Sequence, residues 1–457
     1  MKARFERYHV EVKDAPPKFK IPSRFIVERY NNCDNVQECV QSCIYGVHVV
    51  GKDNKIAEPI NELCRGCYVC VQKCPDLAIS VRDNPAFLAL GNSYFTSDRM
   101  KTIFFEAETG RVPVSGTGYS GSFAGKGFDG IWFDFSEIVR PTRDGIHGRE
   151  YISTSVDLGK KPSCLAFDEK GKLLSENLNL VEIPIPTILD APADCASSKP
   201  LFLAVVKAAS KLGTFATVSL KDSHIDLLPY ASNIMLKLSP DEIEAAEDMI
   251  RLSRIVEINL QNGDSDVEGC IRRTKKINPS VLVAFGSSYD EHSHEKAYTL
   301  TEKGADVIHF HTPDEVAEHN PDFITAAIHR VHSHLVEKNV RDKVTFVHSG
   351  GIAEAAHVPK SIILGADAVG IGSVYQIALG CKLCNDNQRS GECQLKIEDQ
   401  GVEWAVQRIV NLVGSWRDQL LEVMGGMGLR EVRRQRGETG RAMFYQDLET
   451  KIFGGKA

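Results

Sequence analysis

Residues 64–75 read CRGCYVCVQKCP, in which Cys64, Cys67, Cys70 and Cys74 follow the spacing C-x2-C-x2-C-x3-C-P. In this pattern three closely spaced thiolates bind one iron–sulfur cluster, and the fourth reaches across to a second cluster. A zinc site rarely needs the seven cysteines found between positions 33 and 74, and zinc knuckles lack the Cys-Pro ending. The sequence therefore predicts a protein that transfers electrons.

The flanking sequence indicates an internal repeat of two cluster-binding loops. A strand-like FIVERY (25–30) leads into Cys33, and a strand-like VHVV (47–50) follows Cys43, as LAISV (77–81) follows Cys74. We expect a bacterial-ferredoxin-like α+β domain over residues 1–83. Ligands cross over between the halves of such folds, so Cys43 would complete a [4Fe-4S] cluster with the first three cysteines of the run.

The first half of the repeat lacks one ligand, because Val36 stands where the second half has Cys67. Cys33, Cys39 and Cys74 would hold the other cluster with three thiolates. Three thiolates suit a [3Fe-4S] cluster, or a [4Fe-4S] cluster completed by another ligand. The alternative is that this site has decayed and is empty.

Composition limits the class of protein. With 457 residues, 42% hydrophobic and 25% charged, the chain has the make-up of a soluble globular protein of two or three domains. Its formal net charge of −7 argues against nucleic acid or an anionic membrane as main partner. No apolar run reaches the ~18 residues of a membrane span. Unpaired thiols in a chain without a signal peptide indicate a protein of the reducing cytoplasm, in an organism that grows with little oxygen.

After a connecting segment (84–179) expected to pack on the next domain, residues 180–457 alternate between strand and helix patterns. Eight apolar runs recur: VEIPIPTIL (181–189), TFATVSL (214–220), NIMLKL (233–238), IVEINL (255–260), SVLVAF (280–285), DVIHFH (306–311), VTFVHS (344–349) and AVGIGS (368–373). Eight such runs with helices between them predict an α/β fold of the closed (β/α)8 TIM-barrel type. An open doubly wound sheet is the alternative, but no G-x-G-x-x-G follows an early strand.

The last two predicted strands end in glycine turns, each followed by a helical pattern. Barrels commonly bind phosphate in the loops after strands 7 and 8, where glycine lets backbone N–H groups approach. We therefore expect a phosphorylated cofactor, and beside iron–sulfur clusters flavin mononucleotide (FMN) is the economical choice. The candidate residues are Ser349, Gly350, Gly351, Gly370, Gly372 and Ser373.

Polar residues at other strand ends are candidates for the same site. Lys237 lies in an apolar strand and could face the anionic edge of a reduced flavin, or simply extend to solvent. Asn259 and Gln261 could hydrogen-bond the flavin ring. His309 and His311 alternate along strand six, which aims both to one side, where they could donate protons or be ordinary core histidines.

A third cysteine group comprises Cys381, Cys384 and Cys393. It follows the last glycine turn directly and would place another iron–sulfur cluster beside the flavin. Structural zinc is the alternative, but no histidine follows Cys393 to complete its ligands. The isolated Cys164, Cys195 and Cys270 are expected to be buried thiols.

From about residue 181 to 447 the chain resembles the flavin-binding barrel of glutamate synthase. GADAVGIGSVYQIALGC (365–381) matches that family's last strand, phosphate loop and cluster entry, and IVNLVGSWRDQLLEVMGGMGLREV (409–432) is similar to its closing helices. A dicluster ferredoxin fused to this barrel, with EIVRPTRDGIHGREYISTSVDLG (137–159) between them, resembles the archaeal-type glutamate synthase core.

The resemblance implies that the six turn residues bind the flavin phosphate and that Lys237 contacts the isoalloxazine. It also implies that the third cysteine group holds a [3Fe-4S] cluster. The chain departs from the family in that group's spacing, in the missing lysine of strand five (VLVAFGS), and in strand six. There His309-Phe-His311-Thr-Pro-Asp314 replaces a glycine-rich loop, and Asp314 joins the candidate proton donors.

Two functions are consistent with these features. The first is an iron–sulfur flavoprotein that receives electrons from a donor protein and reduces a small imine or related substrate. Ammonia would come from an amidotransferase subunit, because no glutaminase domain precedes the ferredoxin module. The second is an electron-relay subunit of a larger complex, in which the altered strand-six loop has closed or repurposed the substrate pocket.

Overall fold

The computed structural model describes residues 8–113, 125–135, 152–161, 167–171, 179–192, 198–260, 266–383 and 395–454. Contacts divide the chain into two compact units, Lys18–Lys101 and Met1–Pro17 with Thr102–Ala457. Residues 8–17 thus group with the larger unit, and the smaller unit extends past residue 83. The three functional domains of the sequence analysis stay a prediction.

The smaller unit is built on one antiparallel strand pair, β1 (Phe25–Arg29) and β2 (Ile79–Asp83), with Val27 opposite Val81. Its helices are α1 (Glu38–Ser42), α2 (Val69–Lys73), α3 (Pro85–Leu88) and the first residues of α4 (Ser97–Thr109). Cysteines and small apolar side chains form the core between the two halves.

The predicted internal repeat is visible in the backbone. Cys33 and Cys64 are 31 residues apart (64 − 33), and the same offset relates α1 to α2. Gln37 and Tyr68, which precede the two helices, both adopt left-handed conformations with φ of 65° and 59°. The repeat is imperfect after the helices: VHVV (47–50) forms only one bridge, Val50 to Ile56, where the second half forms β2.

The larger unit contains a closed barrel of eight parallel strands. They are β6 (Thr187–Leu189), β7 (Ala216–Ser219), β8 (Ile234–Leu238), β9 (Ile255–Asn259), β10 (Leu282–Ser288), β11 (Val307–His311), β12 (Thr345–Ser349) and β13 (Ala368–Ile371). Each lies within or overlaps one of the eight predicted runs, and β13 pairs with β6 to close the ring. The TIM-barrel prediction is confirmed.

Helices connect most of the barrel strands. They are α5 (Lys199–Leu212), α6 (Glu247–Leu252), α7 (Val267–Ile277), α8 (Ser293–Glu302), α9 (Asp314–His319), α10 (Pro321–Glu337), α11 (His357–Leu364) and α12 (Ser373–Ala378). A 3-10 helix, Ile225–Asn233, links β7 to β8. The stretch DEIEAAEDMIRLSR (241–254) is helical only over Glu247–Leu252, and turns precede that helix.

Further elements pack around the barrel. Strand β3 (Ile131–Phe133) pairs with β14 (Ala442–Phe444), β4 (Val156–Gly159) with β5 (Leu180–Ile183), and α14 (Gln446–Phe453) ends the described chain. The longest helix, α13 (Val402–Gly426), buries Arg408, which donates to the carbonyls of Ala378 and Ala15. Among the described residues, no helix is long and apolar enough to cross a membrane.

Candidate functional site

Four of the predicted cluster ligands border one cavity in the smaller unit: Cys43, Cys64, Cys67 and Cys70. Burial raises the pKa of Cys70 to about 11, and the neighbouring thiols of Cys64, Cys43 and Cys67 raise it as well. Four clustered thiols resist becoming thiolates unless positive charge lies among them, and metal ligation supplies that charge. The donor set therefore fits the predicted [4Fe-4S] cluster.

The other three cysteines of this unit form a less complete group. Burial raises the pKa of Cys39, and the nearby Cys33 raises it further. Cys74 belongs to the same buried core, and its Sγ accepts from the Ala78 N–H at 3.3 Å. Val36, in the place of the fourth thiol, is 49% exposed. The three-thiolate cluster stays a prediction.

In the barrel, Lys237 lies next to a buried carboxylate that the sequence analysis missed. Its Nζ is 3.5 Å from Oε1 of Glu257, a fully buried residue of β9. Burial alone would lower the pKa of Lys237, but Glu257 and Asp190 outweigh it and raise the pKa. Lys237 is therefore a charged lysine turned to the barrel interior, with a side chain only 17% exposed.

Glu257 also binds both histidines of β11. Its Oε2 lies 2.6 Å from Nδ1 of His309, and its Oε1 lies 3.1 Å from Nε2 of His311. The prediction that both imidazoles point to one side is therefore confirmed. Burial would raise the pKa of Glu257, but Lys237 and the two histidines hold it well below its ordinary value.

A carboxylate only accepts hydrogen bonds, so each imidazole donates one N–H to Glu257. His309 in its neutral form then presents Nε2 as an acceptor, and the hydroxyl of Ser349 lies 2.6 Å from it. His311 is the more accessible histidine, with a side chain 26% exposed. Burial lowers its pKa to about 4, and His309 and Lys237 add to this effect.

The glycine turns lie at the same end of the barrel. Gly350 and Gly351 have φ of 99° and 68°, and a Cβ on Gly350 would overlap the Thr312 carbonyl oxygen. Gly370 passes so close to Ser349 and Asp190 that it has no room for a Cβ. Because the Ser349 hydroxyl is already bonded to His309, phosphate contacts at the first turn would come from backbone N–H groups.

Two of the buried polar atoms that have no hydrogen-bond partner among the described residues belong to residues that directly follow barrel strands. They are Oδ1 of Asp190, which follows β6, and Oγ1 of Thr312, which follows β11. Buried polar groups are normally hydrogen-bonded, so orphaned ones fit a polar ligand. Asp190, His309 and His311 bring ligand atoms within 4.8 Å of one another, but the ammonium of Lys237 beside Glu257 makes this group less suited to a cation.

Several predicted residues cannot be placed. Gln261, Cys384, Cys393, Cys164 and Cys195 lie outside the described residues. Asp314 begins α9, and its side chain also lies outside them. Asn259 is an exposed residue at the end of β9. Cys381 follows α12 and is half-buried, and Cys270 is a buried thiol, as expected.

Comparison with known proteins gives a consistent family resemblance. Residues 242–430 match the conserved region in glutamate synthase. The archaeal-type glutamate synthase [NADPH] of Dehalococcoides mccartyi is 26% identical over 96% of this chain and 99% of that protein. The archaeal glutamate synthase [NADPH] of Archaeoglobus fulgidus is 25% identical over 95% of this chain and 97% of that protein.

The predicted resemblance to the glutamate synthases, and with it to an oxidoreductase of that type, is confirmed by these matches. Overlap with solved structures is weaker. The flavin-binding domain of baker's yeast flavocytochrome b2 superposes with a TM-score of 0.44 and 12% identity, over 71% of this chain and 82% of that one.

Proposed function

We propose that this relative of the glutamate synthases receives electrons at iron–sulfur clusters in residues 18–101 and uses them, through FMN in the barrel, to reduce a small imine-like substrate. The observation that carries the proposal is the set of four thiols around one cavity. A [4Fe-4S] cluster needs four cysteine thiolates around one cavity, and these four free cysteines match that set.

Each cofactor has a proposed set of residues. Cys43, Cys64, Cys67 and Cys70 hold the [4Fe-4S] cluster, and Cys33, Cys39 and Cys74 hold a three-thiolate cluster. A third cluster is held by Cys381, Cys384 and Cys393. The FMN phosphate lies against Gly350, Gly351, Gly370, Gly372 and Ser373, and Lys237 faces the isoalloxazine. When bound, the clusters supply single electrons and FMN supplies hydride.

The side chains of strands β9 and β11 position the substrate in this proposal. His311 donates Nε2–H to Glu257, which leaves Nδ1 as an acceptor at the more accessible side of the network. Such an acceptor suits the N–H of an imine. The Ser349 hydroxyl, His309 and Glu257 form a continuous series of hydrogen bonds behind it. This series can hold the proton that reduction requires.

The proposed partners supply electrons and ammonia. An electron-donating protein or subunit delivers electrons to the ferredoxin-like unit, and the relatives are named for NADPH, so NADPH is the reductant to test first. An amidotransferase subunit delivers ammonia. The cytoplasm is the proposed compartment, because thiols destined for clusters need reducing conditions.

A second candidate is an electron-relay subunit without its own substrate. It is favoured by the way that Glu257, His309 and Ser349 satisfy one another's hydrogen bonds inside the barrel. A network that is complete without ligand can close the pocket as well as shape it. The relay and the reductase share the cofactors and differ only in turnover.

Cofactor content is the first experiment. Anaerobically purified protein should contain iron, sulfide and one FMN per chain, with electron paramagnetic resonance (EPR) signals of a reduced [4Fe-4S] cluster. Zinc in place of iron, or protein without flavin, would refute the proposal. Turnover with ammonia, 2-oxoglutarate and a low-potential reductant then separates the two candidates. Glutamate formation favours the reductase, and full cofactor content without turnover favours the relay.

A further inference from the structure

His48 is an unusual side chain in the core of the ferredoxin-like unit. It is 2% exposed, and neither ring nitrogen has a hydrogen-bond partner among the described residues. A buried imidazole must donate at least one N–H, and leaving that donor unpaired is unfavourable. His48 therefore needs an acceptor that the protein alone does not supply.

The internal repeat shows that this position does not require a polar residue. His48 follows Cys43 by five residues, and Ile79 follows Cys74 by the same five. The preceding residues, Val47 and Ala78, are both buried and apolar, as is Ile79 itself. An apolar side chain fills the equivalent position of the second half, so packing does not explain the histidine.

The surroundings of His48 identify the missing acceptor. It lines the cavity that Cys43, Cys64, Cys67 and Cys70 border, and most other side chains around this cavity are apolar. A neutral imidazole has a single N–H donor, so one suitable acceptor is enough to satisfy it. The cavity lining also includes the hydroxyls of Tyr45 and Tyr68, but neither is hydrogen-bonded to His48, and the remaining side-chain acceptors are sulfur atoms.

We propose that His48 donates a hydrogen bond from its ring N–H to a sulfur atom of the cluster held by these four cysteines, and thereby raises that cluster's reduction potential. The inference rests on the proposed function, since it requires the cluster. Reduction adds negative charge to the cluster, and a donor pointing at its sulfur stabilises the reduced state more than the oxidised one. An apolar residue such as Ile79 cannot do this at the equivalent position.

The test compares three variants of the full-length protein after anaerobic purification. His48→Ile copies the second half of the repeat and removes the donor. His48→Gln keeps an N–H donor on a side chain of different shape. Val81→Ala alters the lining of the same cavity without touching a polar group, so it controls for a change in packing.

Iron and sulfide content and the EPR signal of the reduced cluster are measured first. If wild-type protein lacks the cluster, the proposed function fails, whatever the role of His48. If the cluster is present, its reduction potential is measured by EPR-monitored titration at one pH. We expect a lower potential in His48→Ile and values near wild type in His48→Gln and Val81→Ala.

A second readout detects the hydrogen bond itself. After exchange into deuterated buffer, the reduced cluster should show a strongly coupled exchangeable deuteron by pulsed EPR, and His48→Ile should lose it. Wild-type potential and an unchanged deuteron coupling in His48→Ile would overturn the inference. So would a potential shift of equal size in Val81→Ala, because the effect would then come from packing.

Discussion

Oε2 of Glu257 lies 2.6 Å from Nδ1 of His309, and both side chains are completely buried in the barrel. The same carboxylate contacts Lys237 and His311, so one negative charge holds three polar side chains from two strands, β8 and β11. Removing one partner of a buried ion pair leaves the other charge uncompensated, which costs far more than the pair itself contributes.

Replacing Glu257 with glutamine should therefore destabilise the larger unit strongly. Glutamine keeps the shape of the side chain but leaves the ammonium of Lys237 without its counter-charge. We expect the free energy of unfolding to fall by about 3 kcal/mol, measured by urea denaturation. Glu268→Gln, at an exposed position of α7, is the control and should change it by less than about 0.5 kcal/mol.

The double variant Lys237→Met with Glu257→Gln tests whether the two residues act as a pair. Their effects should not add, and the double variant should be more stable than the sum of the single changes predicts by about 1 kcal/mol or more. Simple additivity would contradict a direct coupling between Lys237 and Glu257.

The pH dependence of stability should carry a contribution from His311. Its pKa is about 4 in the folded protein, below the ordinary value of 6.5. Between these values the unfolded chain binds a proton that the folded protein does not, so stability falls as the pH drops from 6.5 to 4. His332 and His348, whose pKa values burial lowers to about 3, act in the same direction.

His311→Gln should remove the part of this pH dependence that comes from the protonation of His311. The slope of unfolding free energy against pH should decrease by up to about 1.4 kcal/mol per pH unit within this window. Urea denaturation at a series of pH values measures it. An unchanged slope in the variant would show that His311 takes up its proton equally in the folded and unfolded states.

Alanine at Gly350 should disturb the first glycine turn. The residue has φ of 99°, and the added Cβ would overlap the Thr312 carbonyl oxygen. We expect a loss of at least about 2 kcal/mol in stability together with a lower FMN content. Gly440→Ala introduces a Cβ into open space without a positive φ, and should leave both quantities unchanged.

Single cysteine substitutions should show which cysteines bind iron. Cys70→Ala removes a proposed ligand of the four-thiol cavity and should abolish the [4Fe-4S] EPR signal expected there, while the signals of the other proposed clusters persist. Cys270→Ala changes a buried thiol of α7 and should keep the full iron content. Equal iron loss in both variants would contradict the assignment of ligands.

Much of the fold follows from the sequence because buried parallel strands leave a clear pattern. All eight apolar runs correspond to barrel strands, since each strand is shielded on both faces and tolerates few polar residues. The first run is longer than its barrel strand, because VEIPIPTIL contributes to both β5 and β6 around Pro184 and Pro186. The local sequence pattern marks apolar stretches, but it does not show where the chain leaves one strand pairing and enters another.

The site was predicted less completely. Lys237 drew notice as a charged residue in an apolar strand, and Glu257 in IVEINL carries the same signal with the opposite charge. Asp190 is harder to recognise as a site residue from the sequence, because a polar residue just after a strand is common. Which of these side chains meet depends on the register across the barrel, where Lys237 is paired with Glu257 on the adjacent strand, and a single sequence does not encode that register openly.

In the proposed electron path, the valine at position 36 has a consequence for the direction of electron flow. Two loops with the same backbone and the same four ligands would hold clusters of similar reduction potential, so neither cluster would be the preferred electron acceptor. With one thiolate fewer, the proposed cluster of Cys33, Cys39 and Cys74 would differ in type or in its fourth ligand from the proposed four-cysteine cluster, and cluster type and ligation both set the reduction potential. One substitution in a duplicated module would thus give its two proposed clusters different reduction potentials, although the backbone around α1 and α2 is alike.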